Sequence, residues 1–146
     1  MSKIILLSLI FSATFLSSCG FHTPRSGTSL NLSVISAKNN AFANELKKHF
    51  NPSAAKSLRV EISNETQKKQ AASFDKTGQI TSYNLSLSVL VKAFKGKKVL
   101  LSENFAQTVH LQRVLETQSD RLRITEHYNE LRETLIKRLL RKLKRL

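Results

Sequence analysis

The stretch from Tyr83 to Val91 constrains this chain more than any other, because Tyr83, Leu85, Leu87, Val89 and Val91 alternate with the polar Asn84, Ser86 and Ser88. A period of two belongs to a strand whose successive side chains point to opposite faces of a sheet. Such a strand needs an apolar cover on one side only. The end of the chain offers one. From about Thr117 to Leu146, the residues Ile124, Tyr128, Leu131, Leu135, Leu139 and Leu143 step by three or four, as an amphipathic helix requires. Thr117 and Asp120 resemble a capping box, Glu126, Glu130 and Glu133 occupy the earlier half, and basic residues crowd the end, a polarity that suits the helix dipole.

The other segments supply the rest of a sheet. Leu30-Asn31-Leu32-Ser33-Val34 alternates as a first strand. Asn39 or Asn40 caps a short helix in which Phe42, Leu46 and Phe50 recur every four residues until Asn51-Pro52 ends the pattern. Leu58, Val60 and Ile62 alternate with Arg59, Glu61 and Ser63 as a second strand, with an irregular continuation through polar residues to Phe74. Asp75-Lys76-Thr77-Gly78 is a turn sequence leading into the strand from Tyr83. Lys95-Gly96-Lys97-Lys98 turns into a fourth strand, where Val99, Leu101, Phe105 and Val109 mostly share a face that Glu103 interrupts, as a bulge near Glu103 would. The order β-α-β-β-β-α predicts an α+β two-layer sandwich, a four-stranded and mostly antiparallel sheet with two helices on one face.

The first residues address the chain. Lys3 precedes an apolar run from Ile4 to Phe15, broken only by Ser8, Ser12 and Thr14, and at about 12 residues it is too short to span a bilayer. Leu16-Ser17-Ser18-Cys19 then has the form of a bacterial lipobox, and Cys19 is the one cysteine of the chain. These residues predict a lipoprotein signal peptide over 1–18, acylation of Cys19, a tether over 19–29 containing Pro24 and Gly27, and one domain over 30–146. Gly20, not Asp, follows the cysteine, so the expected address is the outer membrane, lipid-anchored on the periplasmic side. No disulfide is available to the domain.

The chain carries 24 Lys and Arg against 10 Asp and Glu, a net +14, and +13 once Lys3 leaves with the signal. That excess calls for an anionic partner. In the cytosol it would argue for nucleic acid. A periplasmic lipoprotein seldom meets any, so the polyanions in reach are lipid A phosphates, acidic sugars, anionic phospholipids and acidic faces of other proteins.

Taken in order and spacing, several short segments make the chain similar to the lipopolysaccharide-assembly lipoprotein family, LptE. They are Cys19-Gly20-Phe21-His22 after the lipobox, the strand around Leu32 to Ile35, Leu58-Arg59-Val60-Glu61-Ile62-Ser63, Gly78-Gln79 followed by Tyr83, Glu126-His127-Tyr128, and Leu135-Ile136-Lys137-Arg138-Leu139. Thr23-Pro24-Arg25 stands where the family often has Leu-Arg-Gly. The resemblance implies a two-layer α/β domain that plugs the LptD barrel in a 1:1 complex, assists its assembly and contacts lipopolysaccharide. It also favours a basic residue at Lys76.

Chemistry of bond making has little foothold. His22, His49, His110 and His127 lack metal-ligand spacing, no second cysteine exists, and no nucleophile elbow, P-loop or dinucleotide fingerprint appears. Neither metal nor cofactor is implied. A lipid-anchored hydrolase would need a site built from residues without local signal.

Hairpin topology sorts the cations into two poles. Lys76 at the first turn and Arg113 after the fourth strand fall at one end, with Lys68 and Lys69 expected to join them as candidates for lipopolysaccharide phosphates, though turns are also simply where lysines are solvated. The turn at Lys95 to Lys98, the start of the first strand and the end of the long helix fall at the other. There Lys137, Arg138, Arg141, Lys142, Lys144 and Arg145 form a candidate membrane or partner surface, with complementing the helix dipole as the plain alternative.

Overall fold

The structure, a computed structural model, describes residues 31–36, 40–114 and 117–146. The signal segment, Cys19, the tether, Leu30, Asn39 and the side chain of Thr117 lie outside the described residues. In chain order the elements are β1 (Leu32–Ser36), α1 (Ala41–Lys47), β2 (Leu58–Ile62), β3 (Thr66–Phe74), β4 (Ile80–Lys95), β5 (Lys98–Gln112) and α2 (Thr117–Leu143). The α+β class and the two helices are as the sequence predicts, but the sheet has five strands where four were expected.

The extra strand arises because one strand position is interrupted. β5 pairs antiparallel with β4 from Ser82 to Lys95. On the opposite edge of β4, β2 occupies the stretch Val91 to Phe94 and β3 the stretch Ile80 to Ser88. β1 joins β2 in parallel, a pairing that needs a crossover, and α1 lies in that crossover. The expected irregular continuation of the second strand is β3.

Local hydrogen bonding explains the interruption. Ile62 faces Val91 and Thr66 faces Ser88, so one strand spends a residue more than its neighbour between those pairs. Such a bulge exchanges the two faces of everything beyond it. The Ser63 amide still donates to the Leu90 carbonyl at 3.0 Å, but the Ser63 carbonyl turns away to accept from Asn40 Nδ2 at 2.6 Å. The Ser63 hydroxyl takes its place, accepting from the Leu90 amide at 3.0 Å. Asn40 is also the cap of α1, its Oδ1 accepting from the Ala43 amide at 2.9 Å.

Both helices lie on one face and share one core. Leu85, Leu87, Val89 and Val91 of β4 and Phe105 of β5 are buried together with Leu135, Ile136, Leu139 and Leu143 of α2 and Phe42 and Leu46 of α1. Each such side chain stabilises the fold by roughly 1.5–3 kcal/mol relative to exposure. The opposite face of the sheet is uncovered and mostly polar, though Leu90 and Ile35 are exposed on it. There Ser86 Oγ lies 2.8 Å from Thr108 Oγ1 and His110 Nδ1 lies 3.1 Å from Asn84 Oδ1 across β4 and β5.

One expectation for β5 needs correction. The irregularity lies between Ala93 and Phe94 of β4, opposite Leu100, and Glu103 sits in regular register with Val91. Glu103 stands on the helix-covered face because two cations of α2 meet it there: Lys142 hydrogen-bonds its carboxylate and Arg138 lies 3.7 Å away.

Candidate functional site

At the β3–β4 tip the chain builds a rigid turn from its own polar groups. Asp75 Oδ1 accepts from the Thr77 amide at 2.8 Å, the Thr77 hydroxyl at 2.6 Å and the Gln79 amide at 2.9 Å. The Thr77 hydroxyl bond first, and then the backbone donors, hold this carboxyl below the ordinary aspartate range. Gly78 takes φ +79°, the left-handed conformation that glycine adopts without strain. With its carboxylate engaged by the turn, Asp75 makes no ion pair with Lys76.

Arg113 docks beside this tip. Its amide donates to the Thr81 carbonyl at 2.9 Å and its Nη1 to the Ile80 carbonyl at 3.2 Å. Lys76 and Arg113 therefore stand at one end of the sheet, neither with an ion-pair partner among the described residues. Phe74 pairs with Ile80 at the same tip and is 60% exposed, an aromatic ring in water at the end of the sheet that also holds Lys76 and Arg113. Bulges between Ala71 and Phe74 add twist to the tip, and Ser73 Oγ bridges Thr81 Oγ1 at 2.7 Å and Ser82 Oγ at 2.5 Å.

Lys68 and Lys69 do not reach this tip. They pair with Ser86 and Leu85, roughly 20 Å down the strand from Lys76 at about 3.3 Å per residue, and point to opposite faces of the sheet. The Lys69 ammonium lies 3.9 Å from the centroid of the Tyr83 ring, a cation–π contact on the side where the helices lie.

Two arginines that sequence reasoning passed over stand at this end instead. Arg121 and Arg123 lie in the first turns of α2, and Arg123 Nη1 donates to the Gln112 carbonyl at 3.3 Å, next to Arg113. The helix dipole favours anions in the first turn, where Asp120 stands, and a pair of cations directly after that turn is out of keeping with the acidic start. That mismatch was the available signal. Phe74 was visible only as the end of a strand. Asp120, the acid of the first turn, accepts from the Val114 amide at 3.1 Å and closes the loop from β5.

At the opposite end, the basic run of α2 divides. Lys137 lies 3.7 Å from Glu133, while Arg138 and Lys142 share Glu103 and lie over the Phe105 ring at 5.6 Å each. Arg141, Lys144 and Arg145 are exposed and without an ion-pair partner among the described residues.

His127 and Glu130, 2.8 Å apart, edge a shallow groove between α2 and β5 that Gln107 and Thr134 also line. No group of three or more His, Cys, Asp or Glu residues comes together among the described residues. No described helix is long and apolar enough to cross a membrane.

The family model for lipopolysaccharide assembly, LptE, matches residues 28–143, which takes in every strand and both helices. The chain belongs to the LptE family. As a member of that family it is an outer-membrane-associated lipopolysaccharide-assembly lipoprotein. Solved structures share the LptE-like fold. A rare lipoprotein B from Shewanella oneidensis has TM-score 0.67 at 14% identity, covering 77% of this chain and 92% of that one. A lipoprotein B from Nitrosomonas europaea has TM-score 0.64 at 13% identity, covering 79% and 82%. A lipoprotein from Caulobacter crescentus has TM-score 0.58 at 7% identity, covering 77% and 87%. No curated protein matches the chain.

Proposed function

We propose that this LptE family member is a non-enzymatic partner of an LptD-type barrel, and that it meets lipopolysaccharide with its β3–β4 tip. In this reading residues 1–18 are removed, Cys19 is acylated, and residues 30–146 act as one domain on the periplasmic side of the outer membrane in a 1:1 complex with the barrel. The observation that carries the reading is the tip: Lys76 and Arg113 without ion-pair partners, beside an exposed Phe74. A phosphorylated glycolipid presents phosphates to the first two and acyl or sugar surface to the third. Arg can bind two phosphate oxygens and Lys acts as a point charge. The self-satisfied Asp75 turn fixes the backbone that carries Lys76 before any ligand arrives, which lowers the ordering cost of binding.

The test reverses charge at each end of the sheet. Lys76→Glu with Arg113→Glu is expected to weaken binding of purified lipopolysaccharide by about tenfold or more per lost charge-assisted contact. Lys97→Glu with Lys98→Glu should weaken it far less at about 150 mM salt, where attraction is screened within roughly 8 Å. Equal losses from both pairs would leave only a general basic surface. Failure of the wild-type chain to co-purify with its barrel would overturn the partnership.

A further inference from the structure

We propose that the end of the sheet opposite the β3–β4 tip docks on an anionic phospholipid bilayer, through the six cations Lys95, Lys97, Lys98, Arg141, Lys144 and Arg145. The proposal rests on the reading that Cys19 anchors the chain to a membrane.

Uncommitted charge is the first observation. The glutamates near this end are already engaged, Glu103 with Arg138 and Lys142, Glu133 with Lys137, and Glu61 with Arg59 at 3.4 Å. The six named cations are exposed and have no ion-pair partner among the described residues. Three belong to the β4–β5 turn, where Lys95 pairs directly with Lys98 and Gly96 holds φ +60°. Like charges opposite each other in a hairpin are destabilising. A surface of negative headgroups offsets that cost.

Placement is the second. Arg141, Lys144 and Arg145 are spaced three and four apart and so share one side of the helix end, which closes in a turn after Leu143, the Lys144 amide bonding the Leu140 carbonyl at 3.1 Å and the Arg145 amide the Lys142 carbonyl at 3.0 Å. Glu103, the residue α2 grips with Lys142, sits opposite Val91, four positions before Lys95, so helix end and turn lie at the same end of the sheet. Leu146 and Val99, 54% and 52% exposed, add apolar side chains among these cations. Basic residues with interspersed exposed apolar ones are the composition that binds at a headgroup boundary.

The leash is the third. Asn31 is buried at the start of β1, its Nδ2 donating to the Asn51 and Ala54 carbonyls at 3.0 and 2.6 Å. Leu32 pairs with Leu58, one position from the Arg59 that faces Phe94 beside Lys95, so the chain enters the sheet at this end. Only 11 residues lie between Cys19 and Asn31, a span of at most roughly 40 Å. An acylated Cys19 keeps the start of β1, at this end, within that distance of the bilayer.

The experiment uses the mature chain with Cys19→Ala, so that no acyl group contributes, and phosphatidylcholine vesicles with or without about 30 mol % phosphatidylglycerol at about 150 mM salt. The parent chain is expected to partition onto the phosphatidylglycerol vesicles. Neutralising Arg141→Gln, Lys144→Gln and Arg145→Gln together should reduce this on the order of a hundredfold, at about fivefold per cation near the surface. The control Lys68→Gln, Lys69→Gln and Arg121→Gln removes equal charge elsewhere and should reduce it by less than about threefold. Circular dichroism checks folding. Equal losses, indifference to phosphatidylglycerol, or a helix variant that keeps vesicle binding but no longer co-purifies with the barrel would each overturn the proposal, the last by making this end a protein contact. Fatty-acid labelling at Cys19, measured separately on the wild type, decides the anchor without bearing on this result.

Discussion

Arg132 on α2 grips Glu65 with two parallel hydrogen bonds across 67 residues of sequence, Nε to Oε2 at 3.0 Å and Nη2 to Oε1 at 2.7 Å. Glu65 ends the break between β2 and β3, and its Oε2 also accepts from the Phe42 amide in the first turn of α1 at 3.0 Å. One carboxylate thus holds three elements at the place where the sheet loses its regular register. Both side chains are nearly buried, at 10% and 7% exposure. Removing either partner strands the other charge, at a cost of roughly 3–5 kcal/mol.

Arg132→Met is therefore expected to destabilise the domain by about that amount in chemical denaturation. The acid limb gives an independent readout. Burial pushes the Glu65 carboxyl up, but hydrogen bonds from Arg132 and Gln67, the Arg132 charge and the Phe42 amide together outweigh it and hold the group below the ordinary glutamate range. A carboxyl depressed in the folded state contributes stability above its unfolded value and loses it as pH falls through the folded one. Wild-type stability should drop from about pH 5 downward. Glu65→Gln should start lower and lose less over the same range. Parallel acid limbs in the two proteins would show that this pair does not carry the effect.

Leu87 is fully buried under α2 while Ser86 faces the uncovered side opposite Lys68. Leu87→Asp places an unpaired charge in the core and should unfold the domain at ordinary temperature. Ser86→Asp gains a cross-strand cation and should shift stability by less than about 1 kcal/mol. Comparable losses of melting temperature from both would mean the strand is facing the other way.

Cys19→Ala should abolish incorporation of a fatty-acid analogue and leave the signal segment uncleaved, since the cysteine is both acceptor and cleavage landmark. Label retained on the variant would sink the lipoprotein reading of this chain.

The alternation at Tyr83 to Val91 and the three-to-four stepping of Ile124 to Leu143 were enough to read a half-covered sheet and its covering helix, because periodicity is a local property that burial merely selects. The asparagine cap of α1, the Asp75 turn and the sorting of Lys76 and Arg113 to one end followed from short-range chemistry and hairpin reversal. Three things waited for the tertiary structure. The division of one strand position into β2 and β3 depends on Ser63 exchanging a carbonyl for a hydroxyl while Asn40, 23 residues earlier, takes the carbonyl. The sense of Glu103 depends on two cations of a helix that follows it at long range, so it read as an irregularity in the strand until Arg138 and Lys142 were brought to it. Which basic residues are free is likewise settled by the carboxylates within reach, and reach is a distance in space: Lys137, Arg138 and Lys142 are committed, Arg141, Lys144 and Arg145 are not, though all six stand in one run of sequence.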